Sequence, residues 1–210
     1  MEMGLLSFLA RGGPLVWPIL LCSVLGLAVF LNRLYFLLRL RREEEGALRR
    51  LKEAVARGED LSSLAEGEGP LARMLAEILP VCCADRALVE TILDRVIERE
   101  VARAARYLDL LATLASIAPL MGLLGTVTGL IRAFMVIEEA GGRVDATMLA
   151  GGIWEAMLTT AVGLSVALPL IVAHRFLLAR IHAYEEDLEH LATGLLKVLF
   201  ARAEGRSEAA

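Results

Sequence analysis

Three long, nearly uncharged stretches alternate with heavily charged ones along the 210-residue chain. The first runs from Pro14 to Leu38 and contains one charged residue, Arg33. The second, Leu110–Ile131, has no charge, and the third, Ala146–His174, has Glu155 alone when its histidine is neutral. A helix needs about 20 apolar residues to cross a bilayer core. The pattern therefore predicts an all-α integral membrane protein with three transmembrane helices.

Basic residues gather directly after the first apolar stretch and give the chain an orientation. Six arginines lie between Arg33 and Arg50, and the positive-inside rule places such a cluster in the cytoplasm. The N-terminus is then on the outer side and the C-terminus in the cytoplasm. Apolar residues at helical spacing predict cytoplasmic helices between the first two spans. We expect the last of these to run from about Asp85 straight into the second span.

The composition agrees with a membrane protein and argues against several other classes. Hydrophobic residues make up 57% of the chain, and the mean hydropathy is +0.60. No basic cluster is interleaved with aromatic residues, so nucleic-acid binding has no support. Cysteine and histidine spacings match no metal site or disulfide framework. No nucleophile–base pair, P-loop or dinucleotide-binding turn is present. We expect no enzyme activity, cofactor or metal.

The main candidate for function is the carboxyl of Glu155, because an acidic group at the centre of a membrane helix costs roughly 2.5–3.5 kcal/mol. Thr159 lies on the same helix face, and hydroxyls beside a titratable acid can pass protons or coordinate a small cation. A structural alternative exists for each threonine, since such hydroxyls commonly bond to carbonyls of their own helix. Arg132, at the outer boundary of the second span, can reach the interface.

Small residues and prolines in the second and third spans predict close helix packing. Gly125 and Gly129 form a GxxxG pattern, which lets two membrane helices approach closely. A proline can kink or loosen a helix. We assign these residues to helix packing: Gly122, Gly125, Gly129, Gly163, Pro119 and Pro169.

Two stretches resemble a known family. They are APLMGLLGTVTG at 118–129 and GIWEAMLTTAVGL at 152–164, the latter followed by Pro169. Both are similar to the MotA/TolQ/ExbB proton-channel family, specifically its three-span ExbB/TolQ branch. Three spans instead of four disfavour a MotA-type flagellar stator.

The resemblance implies a homopentamer whose second and third helices line a central pore. A single-span partner of the ExbD or TolR kind would lie inside the pore, and its transmembrane aspartate would carry the proton. By motif, the family's pore carboxylate falls on Glu155 and its pore threonines fall on Thr126 and Thr160. Such assemblies use the proton motive force to energise a TonB- or TolA-type protein, for outer-membrane import or envelope integrity.

This setting implies a multi-pass protein of the bacterial inner membrane, surrounded by membrane lipids, with a periplasmic N-terminus and a cytoplasmic C-terminus. The transmembrane helices are expected at 14–38, 107–137 and 148–176. The remaining segments are a periplasmic amphipathic segment at 1–13, a cytoplasmic helical region at 39–106, a short periplasmic loop at 138–147, and a cytoplasmic C-terminal helix and tail at 177–210.

Two alternatives stay open at this point. The same assembly could be driven by Na⁺, because nothing in the span residues excludes that ion. The chain could also be a membrane scaffold that stabilises an energy-transducing partner and conducts nothing. Glu155→Gln separates a channel from a scaffold, because a scaffold should tolerate the neutral amide. The residues do not distinguish an ExbB role from a TolQ role, nor do they identify the cargo.

Overall fold

The computed structural model describes residues 12–57, 62–67, 69–81, 85–139 and 146–207. All regular structure in these residues is helical, which confirms the predicted all-α class. The helices are α1 Val16–Arg57, α2 Ser62–Ala65, α3 Pro70–Ile78, α4 Arg86–Ala105, α5 Leu108–Glu139 and α6 Ala146–Ser207, with a 3-10 turn at Leu79–Val81. Most of the predicted segment 1–13 and of the loop 138–147 lies outside the described residues.

Three helical stretches among the described residues are long and apolar enough to cross a membrane, as predicted. They are Val16–Leu40, Arg86–Glu139 and Ala150–Phe200. Each is longer than the roughly 20 residues that a bilayer core requires, because charged helical segments follow or precede the apolar parts. Pro119 and Pro169 lie inside α5 and α6, and both helices continue through them.

Contacts divide the described chain into two compact units. The span unit contains the described residues up to Asn32 together with Tyr107–Phe176, and so holds the apolar parts of α1, α5 and α6. The stalk unit contains Arg33–Arg106 and the described residues from Leu177 onwards. The boundaries follow the charge pattern, because the arginine-rich end of α1 and the charged helix α4 both belong to the stalk unit.

Small residues bring α5 and α6 close together in the span unit. A Cβ atom added at Gly163 would lie 2.7 Å from the carbonyl oxygen of Ala118 and 3.2 Å from the Cα atom of Gly122. One added at Gly129 would lie 3.0 Å from the carbonyl oxygen of Gly152. Larger side chains cannot occupy these positions without separating the two backbones. The glycines therefore set the distance between α5 and α6.

The outward faces of the span helices carry large apolar side chains. Fewer than half of the residues in each span are buried within the chain. Half or more of each of the following side chains is exposed: Leu120, Leu123, Leu124, Val127, Phe134, Trp154, Met157 and Val172. Exposed apolar side chains of this kind are suited to contact with lipid or with another protein chain.

The stalk unit has an apolar core of its own. Met74 and Leu75 of α3, Leu93 of α4, and Leu188 and Leu195 of α6 are all completely buried. Leu188 and Leu195 lie two turns apart on one face of α6, and the buried residues of α4 recur at helical spacing, so each of these helices has one apolar stripe. This packing holds the charged helices together without using the apolar spans.

The helix expected to run from Asp85 into the second span is interrupted, so that expectation was wrong. α4 ends at Ala105 and α5 begins at Leu108. Arg106 has an extended ψ of 131°, and Tyr107 has a φ of 70°, in the left-handed region that non-glycine residues seldom adopt. Neither glycine nor proline marks the break. It falls at the boundary between the stalk unit and the span unit.

Candidate functional site

The carboxylate of Glu155 forms an ion pair with Arg132 inside the span unit. Nη1 of Arg132 donates to Oε1 of Glu155 at 2.5 Å. The side chain of Glu155 is 24% exposed and that of Arg132 is 50% exposed. A charged group in an apolar span requires a partner of this kind. Arg132 is therefore the counter-ion of the acidic residue in the third span.

Each partner is the only residue of its charge sign over a long part of its helix. Arg132 is the single basic residue of α5, and Glu155 is the single acidic residue of α6 before Glu185. Arg132 lies seven residues before the end of α5, and Glu155 nine residues after the start of α6. At about 1.5 Å per residue, the ion pair is roughly 10–14 Å inside the helix ends.

The turn before α1 lies directly over this ion pair. Gly13 has a φ of 75°, and a Cβ atom added to it would overlap the carboxylate of Glu155. The hydroxyl of Thr159 lies 2.7 Å from the carbonyl oxygen of Gly12 and 2.7 Å from that of Glu155, and shares its proton between them. The chain therefore needs glycine at position 13, both for its backbone conformation and for space.

Thr160 links α6 to α5. Its hydroxyl lies 2.9 Å from the carbonyl oxygen of Gly122 and 3.3 Å from that of Ala156, one turn earlier on its own helix. The shorter contact crosses between the helices where Gly122 lets them approach. Thr160 thus serves in helix packing, whatever its role in ion movement.

The hydroxyls of the second span bond to their own helix. Thr126 donates to the carbonyl of Leu123 at 2.6 Å, and Thr128 donates to that of Gly125 at 3.1 Å. These local bonds are the structural alternative anticipated from the sequence. Glu155 is thus bonded to Arg132, Thr126 to its own helix and Thr160 to α5. A joint role of the three residues in an ion path stays a prediction.

The site contains one titratable acid, one guanidinium and several hydroxyls. This set of groups suits proton or ion transfer better than the making and breaking of covalent bonds. Across the described ranges, no group of three or more histidine, cysteine, aspartate or glutamate residues could hold a metal ion. A carboxylate and hydroxyls that both donate and accept can hand protons along.

The sequence model of the MotA/TolQ/ExbB proton channel family matches residues 66–190, which is more than half of the chain. The chain belongs to this family. The matched region contains α4, all of α5, and α6 as far as His190, and so includes the Arg132–Glu155 ion pair together with Thr126 and Thr160.

Curated proteins of the same family are similar to this chain over different lengths. The putative biopolymer transport protein ExbB-like 1 of Synechocystis sp. is 36% identical over 182 residues, covering 83% of this chain and 71% of that protein. The biopolymer transport protein exbB1 of Vibrio cholerae is 31% identical over 184 residues, covering 85% and 81%. The Tol-Pal system protein TolQ of Haemophilus influenzae is 34% identical over 115 residues, covering 55% of this chain and half of that protein.

Two parts of the site in this member of the MotA/TolQ/ExbB family were missed by sequence reasoning. Arg132 was assigned to the membrane boundary, although it is the only basic residue on α5. That uniqueness was a usable signal, because an isolated cation and an isolated anion in adjacent spans stabilise each other. The contact of the Gly12–Gly13 turn with α6 had no comparable signal, since it depends on how α1 packs.

A second charged cluster lies in the stalk unit, and its acidic member is buried. Glu100 is 4% exposed, and its carboxylate accepts from Arg73 at 2.7 Å and from Arg103 at 2.9 Å. Arg33, also buried, donates to the carbonyl oxygen of Arg103 at 3.1 Å. A cavity of about 500 Å³ lies beside this cluster and is rimmed partly by Tyr35. Glu100 therefore holds α3 to α4.

Proposed function

We propose that this protein is the inner-membrane proton-channel subunit of an ExbB/TolQ-like motor. The motor would use the proton motive force to energise a TonB- or TolA-type partner, in outer-membrane import or envelope integrity. The observation that carries the proposal is the Glu155 carboxylate, held inside an apolar helix within the region that matches the family. The N-terminus would be periplasmic and the C-terminus cytoplasmic.

The assembly in this proposal is a homopentamer with α5 and α6 around a central pore. The apolar faces of the span helices support an assembly, because the chain itself buries only a minority of the residues in each span. A single-span partner of the ExbD or TolR kind would occupy the pore. Its transmembrane acid would carry the proton, and Glu155, Thr126 and Thr160 would shape the route.

The proposed route uses the exchangeable groups that the span unit provides. A hydroxyl can accept a proton on one lone pair and release its own, so Thr160 could relay a proton when its contact with Gly122 loosens. Glu155 would set the local charge in the route through its pair with Arg132. Proton passage would then be coupled to movement of the partner against the pore helices, which converts ion flow into work on the envelope.

A non-conducting scaffold is the second candidate, and a specific observation favours it. Thr126 bonds to its own helix, Thr160 bonds to α5, and Glu155 is paired with Arg132. A set of polar groups with partners can stabilise helix packing without carrying ions. On this view, the partner would contain the whole ion path.

Reconstitution distinguishes the two candidates. The protein is placed in liposomes with and without its single-span partner, and proton uptake is followed with a pH-sensitive dye under an imposed membrane potential. The channel proposal expects uptake that needs both proteins and that falls in Thr160→Val. Thr113→Val is the matched control, because its exposed hydroxyl donates to the backbone carbonyl oxygen of Asp109 on its own helix. Uptake by the partner alone at the full rate would favour the scaffold.

A further inference from the structure

The ion pair of Arg132 and Glu155 changes which ions the span unit can accept. Glu155 is the one acidic residue in the apolar part of α6, so it is the natural ligand there for any cation. The guanidinium of Arg132 already lies 2.5 Å from its Oε1 atom. The formal charges of the two side chains cancel. A cation approaching Glu155 therefore meets a neutral pair instead of a free anion.

A metal cation and a proton differ in what they need from this pair. An alkali cation entering a membrane site exchanges its hydration shell for several oxygen ligands. The nearby hydroxyl of Thr159 is shared between two carbonyl oxygens, and that of Thr160 lies between two more. A proton needs only one lone pair, which a hydroxyl or the partner's acid can supply, so its transfer does not require the carboxylate of Glu155.

We propose that Arg132 is a cation-selectivity residue of this ion path: by pairing with Glu155, it keeps Na⁺ and K⁺ off the carboxylate and leaves proton transfer possible. The inference rests on the proposed channel function. Arg132 lies outside both motifs, at 118–129 and at 152–164, so neither motif assigns it this role. It also makes Glu155 a positioning residue, whose charge holds the guanidinium in place.

The test measures two ions on the same vesicles. The protein and its single-span partner are reconstituted, and uptake of ²²Na⁺ and of protons is recorded under the same membrane potential. Wild type should take up protons, with ²²Na⁺ at the level of empty vesicles. In Arg132→Gln the ratio of ²²Na⁺ to proton uptake should rise about tenfold or more, since a hydrogen bond to a charged group corresponds to at least about that factor. Arg175→Gln, an exposed arginine of the same unit, should leave the ratio unchanged.

A double variant separates the role of Glu155 as counter-ion from a role as proton carrier. Glu155→Gln leaves Arg132 without its counter-ion, whereas Arg132→Gln combined with Glu155→Gln removes both charges. If Glu155 acts through Arg132, the double variant should recover proton uptake that Glu155→Gln alone loses. No recovery would assign proton transfer to Glu155 itself and overturn this part of the inference.

Failure of the inference and failure of the channel proposal look different. Wild-type vesicles that take up both protons and ²²Na⁺ would keep the channel and overturn the selectivity role. So would Arg132→Gln vesicles that conduct protons with an unchanged ratio. Wild-type vesicles with the partner that take up neither ion would overturn the channel proposal, and the inference with it. If Arg132→Gln does not assemble, the wild-type ratio still decides, because ²²Na⁺ uptake by wild type would overturn the selectivity role.

Discussion

A single methyl group at Gly163 should destabilise the contact between α5 and α6. In Gly163→Ala the new Cβ atom would lie 2.7 Å from the carbonyl oxygen of Ala118, against about 3.4 Å for an ordinary contact. The backbones must therefore separate by about 0.7 Å, or tilt to the same effect. The same movement would stretch the 2.9 Å contact between Thr160 and Gly122 beyond hydrogen-bond range.

The magnitude follows from three contributions. Overpacking costs about 1–3 kcal/mol, and loss of a hydrogen bond adds about 0.5–1.5 kcal/mol. The better helix propensity of alanine returns about 0.8–1 kcal/mol. The net loss is about 0.5–3.7 kcal/mol, which corresponds to roughly 1–15 °C in the thermal midpoint of a chain of this size.

Thermal unfolding in detergent measures this loss, and the chain supplies its own controls. A Cβ atom added at Gly151 or at Gly194 would meet nothing within 4 Å. Gly151→Ala and Gly194→Ala should therefore keep or slightly raise the midpoint, because only the propensity gain applies. A midpoint in Gly163→Ala that rises as in these controls would refute the claim that glycine sets the distance between α5 and α6.

Two further substitutions test the charged cluster and the turn over the ion pair. Glu100→Ala should destabilise the protein by about 2–3 kcal/mol, which is less than for a fully buried pair because Arg73 and Arg103 are partly exposed. Chemical unfolding measures this loss, with Glu98→Ala, at an exposed position, as the control. Equal stability of the two variants would contradict the prediction. Gly13→Ala should cost at least about 1–2 kcal/mol, because the residue has a positive φ and its Cβ would overlap Glu155. Its proton uptake should fall more than that of Gly151→Ala, and unchanged uptake would mean that the turn need not contact the carboxylate.

The three apolar helices were predictable because membrane spans leave a signal that is local in sequence. A run of uncharged residues of the right length, followed by arginines, is sufficient to indicate a span. The glycine pattern of α5 likewise predicts close helix packing, and in the structure Gly122 and Gly129 lie against α6. The break at Tyr107 was not predictable, because its left-handed backbone carries no glycine or proline and coincides with a change of packing partner.

The Arg132–Glu155 ion pair depends on information that no single stretch contains. Its partners lie 23 positions apart on two helices, and their meeting requires a particular register between α5 and α6. The register follows from Gly122, Gly129 and Gly163, whose contacts align the helices. Sequence reasoning located the acid and the glycines separately. Only the packed helices bring Arg132 to the carboxylate.

The central claim, that this subunit forms part of a proton path whose route Glu155 shapes, is tested most directly by proton uptake into liposomes containing the protein and its single-span partner. Wild type is compared with Glu155→Gln and with Glu139→Gln, which changes an exposed acid at the end of α5. The account predicts partner-dependent uptake that falls sharply in Glu155→Gln and is kept in Glu139→Gln, with assembly intact in all three. Equal uptake by wild type and Glu155→Gln would contradict it and make Glu155 a structural residue.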